Sequence, residues 1–159
     1  MDLAPRSRLA LMVLVVTAVP SAWGLETALR TAFFPADFEE LRMLLSASMT
    51  TVARAMLVLT AALLAPSYFL MRRLARARLR ALPALRPELR AGARVLAFLG
   101  ASSLLQLPGV VVTFSFMFGA ALRPVAASVG LGTAGLLVLA ALTLRDAARE
   151  GAHEPPKNP

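Results

Sequence analysis

An all-α fold is what this sequence predicts: a polytopic bundle of four transmembrane helices, or three if residues 1–24 are a cleaved signal peptide, with both termini on the cytoplasmic side. Three observations predict it. Apolar residues make up 58% of the chain and mean hydropathy is +0.69, whereas soluble domains are about half apolar or less. Four uncharged runs, each close to the roughly 20 residues a helix needs to cross a hydrocarbon core, are separated by charged stretches. Between Arg72 and Arg94 lie eight arginines and a single acid, Glu88, so this stretch supplies +7 of the formal +8. The high pI of 11.7 therefore belongs to one loop between two spans. A soluble nucleic-acid binder would carry its basic residues on a folded face among polar and aromatic ones, so no nucleic-acid partner is expected.

The first span is expected at about 9–25, after Arg6 and Arg8. Its flanks also read as a signal peptide: a basic start, an apolar run from Leu9 to Val19, Pro20, and small residues up to Gly24. Against cleavage, Trp23 suits an aromatic anchor at the outer interface of a retained helix. An outer interfacial segment follows at 26–49. There Asp37 and Glu40 form the spacing of an N-cap and its capping-box partner, so a helix is expected to start at Phe38. Continued to about Leu82 it reaches roughly 67 Å, more than a bilayer, so its first turns lie in the interface or project beyond it. The second span is placed at 50–71, the arginine loop at 72–94, the third span at 95–118 and the fourth at 125–144, with 145–159 as a disordered tail. The whole of 1–144 reads as one membrane domain. A weak likeness between the segments starting at Ala55 and Gly135 fits a duplication or shared Ala/Leu composition equally well.

Arginines near the membrane ends set orientation. Arg6 and Arg8, the 72–94 loop, and Arg145, Arg149 and Lys157 fall on one side and agree on a cytoplasmic assignment. Sixteen arginines against one lysine suggest a GC-rich bacterial genome, hence the bacterial inner membrane.

Chemistry is scarce. The chain has no cysteine and one histidine, His153, which sits in the tail. Disulfides, thiolate chemistry, metal clusters and a Ser/His/Asp set are thereby excluded. No Asp, Glu, His or Lys lies inside a predicted span, so a proton relay has no carrier and a cation pathway no carboxylate ring. Neither a catalytic residue nor a cofactor is expected.

Three groups of residues remain as candidates. Arg72, Arg73, Arg76, Arg78 and Arg80 exceed what orientation requires, and anionic lipid headgroups or an acidic partner would meet them. Arg54 is either embedded or snorkelling at the outer headgroups, while Ser102, Gln106 and Thr113 share one face of a third span kinked by Pro108. Ser128 with Gly132, and Gly130 with Ala134, form small-xxx-small pairs for helix packing, on the third span or on a partner. The expected function is that of a non-enzymatic accessory or interaction subunit of a membrane complex, with a protein partner or a second copy. A small transporter or channel component using the third helix is the alternative, and a lipid transferase is third for want of acid/base groups.

Overall fold

The computed structural model describes residues 5–33, 35, 37–81 and 87–152. Four helices account for them: α1 (Pro5–Phe33), α2 (Asp37–Arg80), α3 (Pro87–Met117) and α4 (Leu122–Ala152). Among the described residues there is no strand, and each helix is long and apolar enough to cross a membrane. His153 and the rest of the expected tail beyond Ala152, like Pro83 and Arg86 of the loop, lie outside the described residues.

Local sequence accounts for most of the boundaries. Both α1 and α3 begin on proline, whose missing N–H costs nothing in a first turn. Asp37, Glu39 and Glu40 fill the first turn of α2 and Arg78 and Arg80 its last, each sign matching the helix dipole there. With 44 residues, α2 is about 66 Å long. It runs continuously through the stretch expected as interfacial, so 26–49 is divided between the end of α1 and the first turns of α2. At the other limit, α4 continues to Ala152, and 145–152, expected in a disordered tail, is helical. Asp146 anchors that extension through ion pairs to α2 and α3. The turn from α3 into α4 is a Schellman motif: Gly119 N–H donates to Phe116 O at 3.1 Å and Ala120 N–H to Ser115 O at 2.9 Å, with Gly119 at φ +97°. Glycine is the residue that takes this conformation without strain.

Successive helices run antiparallel. At one end Arg8, Arg72, Arg94 and Asp146 gather; at the other, Trp23, Arg42, Phe116 and Ala120 meet. α3 is central and packs on all three others, whereas α1 rests on α3 and α4. The interior divides into two clusters, one around Phe98, Leu105 and Leu136 toward the arginine-bearing end, the other around Val112, Phe116 and Val125. Large apolar side chains also cover the outside: Leu14, Val58, Leu107 and Val138 are all exposed. Small and hydroxyl residues such as Ala53, Ala97, Thr60 and Ser128 are buried beside that core. An apolar exterior with small residues at the helix contacts is what lipid-facing bundles show, because close backbone approach helps hold their helices together. Gly109 is one such approach, where an added Cβ would meet Val19 Cγ1 at 2.9 Å.

Candidate functional site

The densest convergence of charge lies where the ends of α2, α3 and α4 meet. Arg72 and Arg76 from α2, Arg94 from α3 and Arg149 from α4 line a pocket of about 250 Å³ with Ala75, Leu79 and one acid, Asp146. One oxygen of Asp146, Oδ2, serves both Arg94 Nη1 at 3.2 Å and Arg72 Nη1 at 3.6 Å. Arg72 is further oriented by Tyr68, one helical turn earlier: its Nε donates to the phenol oxygen at 3.2 Å and its guanidinium lies 5.5 Å from the ring centre. Of the five arginines expected to bind lipid or a partner, Arg72 and Arg76 line this pocket, while Arg73 and Arg80 are exposed elsewhere on α2 and Arg78 is half-buried. Arg94, Arg149 and Asp146 complete the cluster. In the sequence Arg94 and Arg149 bear only on orientation, because nothing local marks residues on three helices as neighbours.

The expected intramembrane polar group is dispersed. Arg54 is exposed on α2. Ser102 and Thr113 turn their hydroxyls back on their own helix, donating to Leu99 O at 2.8 Å and Gly109 O at 2.9 Å. Gln106 does the most: its Nε2 donates to Val15 O of α1 at 2.8 Å. Pro20 lies five residues beyond Val15 and denies the adjacent Val16 carbonyl its usual helical donor, so Gln106 reaches α1 where its ladder is already interrupted. Gln106 and Thr113 also line an apolar groove of about 510 Å³ between α1 and α3, walled by Ala18, Ala22, Val110 and Phe114.

The packing pairs separate by face. Ser128 and Gly132 are buried; the Ser128 hydroxyl meets Thr60 Oγ1 of α2 at 3.1 Å. A Cβ on Gly132 would sit 3.7 Å from both Leu105 O and Thr60 Cγ2. Gly130 and Ala134 are exposed, and nothing lies within 4 Å of a Cβ built on Gly130.

At the opposite end, Arg42 forms a clasp that the sequence did not disclose. Its side chain is buried. Nε donates to Met117 O at 3.0 Å, Nη2 to Phe116 O at 3.4 Å, and Nη1 to both carboxylate oxygens of Glu39 at 2.9 Å. It thus satisfies carbonyls at the C-terminus of α3, where a cation also complements the dipole. Thr50, two turns further along α2, accepts the Ala121 N–H at 2.9 Å, so α2 holds the α3–α4 turn at two points.

Chemically, these sites bind and brace. Guanidinium groups, hydroxyls, one amide and a few carboxylates paired with arginine supply the polar side chains described above, and no group of three or more His, Asp or Glu side chains able to hold a metal occurs among the described residues. No family model, curated protein or solved structure matches this chain.

Proposed function

We propose that this chain is a small multi-pass protein of the bacterial cytoplasmic membrane, with both termini in the cytoplasm, serving as a non-enzymatic accessory subunit that associates with other membrane components. The orientation draws on charge segregation. Arg6 and Arg8, Arg72 through Arg80, Arg90 and Arg94, and Arg145 and Arg149 share one end of the bundle, which is the cytoplasmic end by the positive-inside rule. Arg30 and Arg42 at the other end are each paired with an acid of their own helix. Trp23, Val19 and Met12 pack into the bundle, which favours retention of α1 over cleavage after Gly24.

The observation that carries the functional reading is that the buried hydroxyls and the Gln106 amide, Ser67 apart, are spent within the bundle. Gln106 is bonded to Val15 O, Thr60 to Ser128, and Thr143 to Leu139 O at 2.8 Å. A conducting or catalytic centre needs polar groups turned toward a substrate; here the outer surface and the arginine-bearing end are left to work with. Gentle extraction from native membranes tests this, with a reproducible complex containing another membrane protein as the expected result.

A small transporter or channel component is the second reading, favoured by the groove that Gln106 and Thr113 line. Solute flux in liposomes that is abolished by Gln106→Leu, together with purification as a lone homo-oligomer, would replace the subunit reading with this one.

A further inference from the structure

We infer that the pocket formed by Arg72, Arg76, Arg94 and Arg149 is a binding site for a phosphoryl oxyanion, occupied by the phosphate of an anionic phospholipid headgroup. The inference rests on the membrane reading of the chain, but not on its orientation or on its role as a subunit.

Charge balance comes first. Four guanidinium groups face one carboxylate, and that carboxylate spends a single oxygen on two of them. Arg76 and Arg149 have no ion pair with an acid among the described residues. The described residues that line the 250 Å³ pocket therefore carry a formal excess of three positive charges. Orientation in a membrane requires basic residues near a helix end; it does not require their convergence from three helices on one cavity. Convergence is what recognition of a tetrahedral oxyanion needs, because a guanidinium presents its N–H groups as a planar fork matched to two phosphate oxygens.

Geometry supplies preorganisation and depth. Tyr68 orients Arg72 from below, and Asp146 draws Arg94 and Arg72 together through one shared oxygen. Ala75 and Leu79 give the pocket an apolar wall, suited to glycerol and the first acyl carbons. Thirty residues of continuous helix separate Arg42 from Arg72 on α2, about 45 Å, which matches a bilayer including its headgroups. With Arg42 capping the far end, the pocket falls at headgroup depth. A soluble phosphate ester offers the same oxyanion chemistry but neither the apolar segment nor the local concentration of a lipid.

The test uses the full chain, purified in detergent and in vesicles of phosphatidylcholine with or without phosphatidylglycerol, with retained lipid read by native mass spectrometry. Wild type is expected to keep phosphatidylglycerol in preference to phosphatidylcholine. The double variant Arg76→Gln, Arg149→Gln is expected to lose roughly tenfold or more in affinity, as two basic contacts are removed. Arg73→Gln, Arg80→Gln removes the same charge from the same end but outside the pocket, and is expected to leave retention nearly unchanged. Equal losses in the two double variants would show diffuse attraction and overturn the site. Inorganic phosphate is the competing probe: weak displacement supports the headgroup, whereas tight phosphate binding indifferent to phosphatidylglycerol would overturn the lipid assignment. Thermal unfolding of each variant verifies the fold, and topology reporters or co-purification can fail without touching any of these readouts.

Discussion

Gly119 and Arg42 sit in van der Waals contact, and each constrains the other: a Cβ at Gly119 would run into the Arg42 carbonyl, and the Arg42 side chain reaches past it to the carbonyls of Phe116 and Met117. The turn between α3 and α4 is thereby pressed onto the backbone of α2 and clasped there. Substituting Gly119 by Ala is expected to cost about 1–3 kcal/mol for the left-handed backbone alone, with the contact adding to it. Thermal unfolding in detergent reads this, and Gly130→Ala, where a Cβ meets open space, serves as the neutral comparison.

Replacing Arg42 by Gln removes hydrogen bonds made by a charged, buried donor set. A loss of about 2–3 kcal/mol is expected. Arg42→Lys should recover little of it, since an ammonium cannot address Met117, Phe116 and Glu39 simultaneously as a planar fork does. Full stability in the lysine variant would mean that charge near the α3 terminus, not fork geometry, is what holds the turn.

Thr60 and Ser128 form one interaction between α2 and α4, so Thr60→Val and Ser128→Ala should be less than additive when combined. Each single change is expected to cost about 0.6 kcal/mol and at most about 1.7, the average and the upper end found for hydrogen bonds between membrane helices. A double-mutant cycle by detergent unfolding measures the coupling. Strict additivity would show that the two hydroxyls contribute independently, through the local bond that Thr60 also makes to Met56 O.

Asp146 neutralises part of the arginine pocket from within. Asp146→Asn is expected to lower the unfolding temperature in lipid-free detergent, because the carboxylate charge shared by Arg72 and Arg94 is lost. Added anionic lipid should restore much of the loss by binding the folded state, and a titration of phosphatidylglycerol against unfolding temperature checks it.

Gln106→Leu should loosen α1 without unfolding the rest, since the lost bond to Val15 O joins only α1 and α3. Faster hydrogen exchange confined to α1 is the expected signature; exchange raised uniformly over all four helices would contradict it.

How much of this was legible in the sequence differs from element to element. Helix α2 was readable almost to its ends, because Asp37 and the acids after it mark a beginning and the arginine ladder before Pro83 an end. Arg54 and Arg42 show the limit. Both are arginines on that same helix, and depth in the hydropathy pattern draws attention to Arg54. They lie about 120° apart around the helix axis, however, and only the Arg42 face meets α3. Its acceptors are backbone carbonyls 74 and 75 residues away, which carry no sequence signature. Gly119 held a readable clue, a glycine after a long apolar run, but Phe118 and Ala120 around it look like more of the same span. The arginine pocket was half legible: Arg72 and Arg76 announce themselves by helical spacing, whereas Arg94 and Arg149 join them only through the antiparallel packing of three helices.

The position of α1 also bears on how the molecule is assembled. Of the four helices it leaves the ribosome first, yet Met12 and Val16 find their partners on α3 and α4, in Val95, Phe98, Leu136 and Leu139. Of these helices α4 is made last, so the α4 wall of that seat is missing while α2 and α3 are synthesised. The contacts of α1 with α3, the Gln106 bond to Val15 O among them, can form first, and the seat closes when α4 arrives.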